Sequence, residues 1–211
     1  MQPATRMLFG IISCLLLAVI FVYLPKHNAR IEALLSDPES PAIGNPYGNP
    51  VRIVVFSDYH CGPCKALSTA LEELARHDTH LRIIFKEYPI LTENSMVAAR
   101  SALAVHFARS GAYFPYHQVL MQMSASFTPE MLAELAEKDD VPRDVYAKAL
   151  ANPKVDEQIG KSVELAGRLR INAVPALVVG HQVIVGDSLD MIRAAIARER
   201  ENMKNAPEKT Q

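Results

Sequence analysis

Val51-Arg52-Ile53-Val54-Val55-Phe56-Ser57 is an apolar, β-branched run between Pro50 and Asp58, and it predicts a strand over 51–57. Leu67, Leu71 and Leu74 then recur at helical spacing, with Glu72, Glu73 and Arg76 on the opposite side, which predicts a helix over about 63–77. A second alternating run, Leu81 to Tyr88, reads as a strand that stops at Pro89. From about 93 to 171 the pattern is helical, broken at Gly111, Pro129, Pro142 and Pro153. Thr128-Pro129 and Asn152-Pro153 read as N-caps followed by proline at the first helical position. Ala176–Val179 and Val183–Val185 flank Gly180-His181-Gln182 as a hairpin, and a last helix spans about 188–203. The order β, α, β, helical block, hairpin, helix predicts an α/β fold: one sheet with helices on both faces and an inserted helical subdomain.

The amino end follows a different pattern. Met7 to Leu24 carries no charge over eighteen residues. As a helix it would be about 27 Å long, close to the roughly 30 Å hydrocarbon core of a bilayer. A cleaved signal peptide is the competing reading. The run is longer than an ordinary signal core, and Tyr23-Leu24-Pro25-Lys26-His27 is a poor cleavage site. Ile11-Ile12-Ser13-Cys14 imitates a lipoprotein signal only loosely, because apolar residues continue past Cys14. The expected organisation is a tail at 1–6, a transmembrane signal-anchor at 7–24 and a stalk and linker at 25–50. The main domain follows at 51–204, with its insertion at about 93–171, and then a frayed tail at 205–211. Basic residues flank both ends of the apolar run, so charge bias leaves the topology open.

Composition narrows the function classes. Net charge is −1 and no basic run stands out, which argues against nucleic acid as a partner. Three cysteines, Cys14, Cys61 and Cys64, exclude a structural disulfide framework.

Two of them form Cys61-Gly62-Pro63-Cys64, placed where the first predicted strand gives way to a helix. A helix start leaves unpaired N–H groups and a positive dipole end, and both favour a thiolate. Cys61 is therefore the expected acidic nucleophile, and the pair reads as a dithiol built for thiol–disulfide exchange. Pro63 suits the first helical turn, and Gly62 keeps the approach to the sulfur open.

The stretch Phe56-Ser57-Asp58-Tyr59-His60-Cys61-Gly62-Pro63-Cys64-Lys65 resembles DsbA-like proteins of the thioredoxin superfamily. So do Gly44-Asn45-Pro46, Phe85-Lys86-Glu87-Tyr88-Pro89 and Val174-Pro175, over about residues 36–203. The resemblance implies a thioredoxin-like fold and a redox-active Cys61–Cys64 disulfide, with Cys61 the nucleophile and Cys64 the buried resolving thiol. It also implies a cis Pro175 facing the sulfurs, with the backbone of Val174 pairing with an extended substrate. Two departures stand out: thioredoxins carry a buried acid where this chain has Val55, and a Trp where it has His60. Gly62-Pro63 is the thioredoxin dipeptide, whereas strong oxidants of the DsbA type carry Pro-His. Thioredoxin and DsbA differ by about 150 mV, roughly 7 kcal/mol for two electrons, so the fold leaves the direction of electron flow open.

Several residues carry two readings each. His60 either stabilises the Cys61 thiolate or sits solvated on the rim. Lys86 and Glu87 either present a charge to the dithiol that relays the Cys64 proton, or form a surface pair. Asp58 reads as a cap rather than a reactive group. Tyr113, Phe114, Tyr116 and Phe127 read as core of the insertion, with a peptide-binding surface as the alternative. The scattered methionines Met96, Met121, Met123 and Met131 read as core filler. His77 and His80 stand near zinc-finger spacing from the cysteines, but an unbroken helix would hold them about 18–20 Å away; no metal site is expected.

The expected function is a membrane-anchored oxidoreductase that oxidises dithiols in exported proteins, with no cofactor. Its catalytic domain would face the periplasm or cell exterior, and a quinone-linked membrane oxidase would regenerate the bridge. The alternatives are a tethered reductase or isomerase fed by a membrane reductant, and a protein holding a soft metal on Cys61 and Cys64.

Overall fold

The computed structural model describes residues 24–124 and 126–205. The predicted span at 7–24 lies outside these residues except for Leu24, and among the described residues no helix is long and apolar enough to cross a membrane. The chain divides into two units at Asp37–Pro38. The first contributes one described helix, α1 (Leu24–Leu35), at the start of the segment expected to be a stalk and linker. Ser36 closes it by giving its N–H and hydroxyl to the Glu32 carbonyl.

The second unit is built on a five-stranded sheet of order β1-β3-β2-β4-β5, from β1 (Ala42–Gly44), β2 (Val51–Ser57), β3 (Leu81–Glu87), β4 (Ala176–Val179) and β5 (Gln182–Val185). Strands β2 and β3 run parallel, with Val55 beside Phe85 and Ser57 beside Glu87. Their crossover is α2 (Gly62–His77), the helix predicted from the leucine spacing. Both faces of β2 are covered, so every residue of it but Arg52 is buried, as the near-continuous apolar run requires.

On one face, Ile53, Val55, Ile83 and Phe85 pack with Leu67 and Leu71 of α2 and with Ile192 and Ile196 of α8 (Leu189–Asn205). On the other, Phe56 meets the Tyr88 ring edge-on, and Lys86 gives a 2.8 Å hydrogen bond to Ser40. The hairpin turn at Gly180 has φ +57, a conformation that suits glycine.

Between β3 and β4 stand α3 (Glu93–Ala108), a 3-10 turn (Ser110–Ala112), α4 (Tyr113–Gln122), α5 (Pro129–Lys138), α6 (Arg143–Leu150) and α7 (Lys154–Arg168). A reciprocal capping box between Thr92 and Ser95 opens α3. Thr128 caps α5 as expected, whereas α7 begins one residue after Pro153, with Asn152 accepting from the Lys154 N–H.

The expected linker needs correction, because Ala42–Gly44 is a strand antiparallel to β3. Three residues between prolines are too short to show a period of two, and pairing with β3 alone makes them a strand. Backbone bonds from Phe85 to Pro41 and from Asn45 to Leu81 extend that pairing. Met96 also departs from expectation, standing exposed on α3 while Met121 is buried.

Candidate active site

Cys61 and Cys64 form a disulfide, with Cα atoms 5.2 Å apart. Cys61 is the N-cap of α2, and its Sγ accepts the Cys64 N–H at 3.1 Å. On reduction that same donor and the helix end face a Cys61 thiolate, which stabilises the nucleophile and leaves Cys64 deeper. Cys64 is 2% exposed and Cys61 4%, while Gly62 and Pro63 lie at the surface. A Cβ at Gly62 would touch nothing within 4 Å, so the approach is open.

Val174–Pro175 is a cis peptide, as the resemblance implies. Pro175 joins Cys64, Ser57, Ser68, Met121 and His117 around a cavity of about 10 Å³, room for about one water. Val174 is half-buried beside it in sequence.

The loop that carries the cysteines is fixed by Asp58. Its Oδ1 accepts from the His60 N–H, and its Oδ2 accepts from the N–H groups of Ile90 and Leu91 at 2.9 and 3.0 Å. It caps the turn and ties it to the segment after β3, as expected of a cap. His60 sits on the rim, its Nδ1 3.3 Å from Ser95 Oγ and its ring edge-on to Phe127.

Lys86 and Glu87 are both buried, so the surface-pair reading is wrong. Strand alternation sends them to opposite faces. Lys86 points to Ser40, on the face away from the disulfide, and Glu87 points into the face that α2 and α4 cover. Glu87 Oε1 accepts the hydroxyls of Tyr59 at 2.8 Å and Tyr113 at 2.7 Å, while Oε2 has no hydrogen-bond partner. Burial is the largest influence and pushes its carboxyl up to about 7; the tyrosine hydrogen bonds oppose this and the Asp58 charge adds to it. The Tyr59 and Tyr113 hydroxyls are raised by burial and then by the neighbouring Glu87 charge.

His117 completes the group. Its Nδ1 lies 2.8 Å from Tyr59 Oη, and its Nε2 3.3 Å from Ser68 Oγ. Burial pushes it down to about 3, so it is neutral. Sequence reading passed over Tyr59, Ser68 and His117. The available signals were spacings: Tyr113 and His117 stand four apart on one helix, as do Cys64 and Ser68. Tyr113, Tyr116 and Phe127 are buried, which makes them core rather than a peptide-binding surface. His77 stays exposed at the end of α2, beside Glu73.

Comparison with known proteins agrees with this geometry. The family model described as thioredoxin matches residues 36–198. A thioredoxin-like oxidoreductase from Silicibacter pomeroyi superposes with a TM-score of 0.74 at 31% identity, over 81% of this chain and 97% of that one. The thiol-disulfide exchange protein alpha-DsbA2 from Wolbachia pipientis gives 0.74 at 26% identity, over 82% and 97%. Among curated sequences, a Na(+)/H(+) antiporter NhaA from Salinispora tropica is 24% identical over 143 residues, 68% of this chain. The chain spans only 22% of that antiporter's length.

Proposed function

The chain belongs to the thioredoxin family as a DsbA-like thiol–disulfide oxidoreductase, and on that premise we propose that it is membrane-anchored and oxidises dithiols in exported proteins. The observation that supports this most is the Cys61–Cys64 disulfide at the start of α2, with the Cys64 N–H aimed at Cys61 Sγ. A substrate thiolate attacks Cys61, the Cys61–Cys64 bond breaks, and Cys64 leaves as a thiolate that takes up a proton. A second substrate thiolate then attacks the substrate sulfur of the mixed disulfide and releases Cys61. The substrate loses two electrons and two protons, and the cysteine pair gains them.

In this reading Pro175 and the Val174 backbone hold the substrate strand beside the sulfurs, and His60 shapes the rim. Gly62 and Pro63 tune the thiolate, and Glu87 serves as the proton store for Cys64. Lys86 hydrogen-bonds Ser40 on the other face of the sheet, which supports Glu87 rather than Lys86 as the charge that serves the dithiol. The apolar run at 7–24 supports a single-pass anchor in the cytoplasmic membrane with the domain outside, where a quinone-linked oxidase renews the bridge. The antiporter match covers too little of that protein to bring ion exchange here.

The reduction potential of the full chain in glutathione buffers tests the direction. A value near or above about −180 mV fits an oxidase, whereas about −270 mV, the thioredoxin region, overturns it in favour of a tethered reductant.

A further inference from the structure

We propose that Ser68, His117 and Tyr59 form an aligned hydrogen-bonded path that carries the proton between the Cys64 sulfur and the Glu87 carboxylate. The proposal rests on the thiol-exchange reading above and assigns its proton route.

The direction of each bond follows from the atoms present. Tyr59 gives its hydroxyl hydrogen to Glu87 Oε1 at 2.8 Å, so its oxygen is left to accept. At 2.8 Å from that oxygen, His117 Nδ1 must therefore be the N–H of a neutral ring. This leaves Nε2 as an acceptor, and Ser68 Oγ donates to it at 3.3 Å. Ser68 Oγ can then accept from the far side, where Cys64, Ser68 and His117 line one cavity of about 10 Å³. Cys64 and Ser68 are four residues apart on α2, so both face that space, which has room for about one water to bridge them. Every donor finds an acceptor in the same sense from Cys64 to Glu87.

When Cys64 attacks a mixed disulfide, its S–H proton enters this path and Glu87 takes up one proton at the far end. The first passage leaves every bond in the path reversed and His117 in its other neutral tautomer, so when Cys64 leaves as a thiolate the same protons move back and restore the starting arrangement. No net electron transfer accompanies the shuttle. Glu87 suits either direction because it titrates near neutrality and its Oε2 is buried without a partner. The titratable groups that face it are Asp58 and Tyr59 from the loop before α2 and Tyr113 and His117 from α4, with the cysteine pair from α2 beyond the cavity. His117 and Ser68 touch no substrate and act as positioning residues.

The test uses the full chain with Cys61 capped by glutathione, and follows first-order glutathione release as Cys64 attacks. His117→Gln keeps both hydrogen bonds, since an amide accepts from Ser68 and donates to Tyr59, but an amide does not pass a proton on. The expected result is release slowed roughly 10- to 100-fold at pH 7, with the wild-type inflection near pH 7 lost. Ser68→Ala, which removes one oxygen, is expected to act alike and serves if His117→Gln does not fold. Capping of Cys61 by oxidised glutathione, the first step, should proceed at the wild-type rate in both. Wild-type release and pH profile in either folded variant overturn the path while leaving the oxidoreductase intact. If wild-type Cys61 cannot be capped or released at all, the exchange reading itself fails.

Discussion

Glu87→Gln isolates the energetic cost of the buried acid. In the unfolded chain its carboxyl titrates at the ordinary 4.5, and in the folded protein at about 7, chiefly because of burial. Between those values the folded protein holds a proton that the unfolded chain has lost, so unfolding releases a proton and stability falls as pH rises. At about 1.4 kcal/mol per pH unit, the loss is complete above pH 7 and amounts to about 3 kcal/mol. Glutamine has the shape of the neutral acid, and its carbonyl oxygen can keep both tyrosine hydroxyls. The variant should therefore match the wild type below about pH 4.5 and exceed it by about 3 kcal/mol at pH 8. Urea unfolding of both oxidised proteins at pH 4, 5.5, 7 and 8.5 measures this difference. His117, held neutral down to about 3, gives an opposite slope between 3 and 6.5, but it is present in both proteins and cancels. A difference that stays flat, or that shrinks with rising pH, would refute the buried-acid argument.

Two further outcomes check other parts of the structure. Cys64→Ala should accumulate mixed disulfides through Cys61, seen as reducible adducts on a gel; no adducts would mean that the pair does not exchange thiols. Gly44→Ala should destabilise the domain by about 2–3 kcal/mol in urea, because φ is +85 and a Cβ would lie 2.4 Å from the Leu81 carbonyl oxygen. An unchanged midpoint would show that the end of β1 shifts freely.

Much of the fold was legible wherever a period ran long enough to declare itself. The β2–α2–β3 unit and the final hairpin were legible because apolar runs and leucine spacing each have one satisfactory packing. Strand β1 was not, since three residues held between prolines gain their identity only from the β3 edge. The cysteine pair was legible from its place at a strand-to-helix junction. The acid network was not, because Glu87, Tyr59, Ser68 and His117 come from four separate segments and look ordinary in each. Only the parallel register, which sets Ser57 beside Glu87, and the return of α4 over α2 join them in one hydrogen-bonded group next to the cavity that Ser68 and His117 line.

The register also accounts for the residue that the family comparison left missing. Thioredoxins place a buried acid six residues before the first cysteine, and here that position is Val55, packed in the apolar core. Its partner on β3 is Phe85, and Glu87 stands two residues further along the same face. The acid is therefore supplied by the neighbouring strand, one strand spacing across and two residues nearer the cysteine loop. A carboxylate at Val55 would enter the cavity lined by Leu67, Leu71 and Phe85, where Ser57 and Ser68 offer hydroxyls but neither Tyr59 nor Tyr113 lines the space, and desolvation weighs against it. At Glu87 the helical insertion supplies Tyr113 and the cysteine loop supplies Tyr59, so the same chemistry is solvated by protein groups. Moving the acid thus requires the insertion. Transplanting Glu to position 55 in a Glu87→Gln background would put a carboxylate on the cavity that Cys64 lines, and glutathione release should recover and no longer slow on His117→Gln.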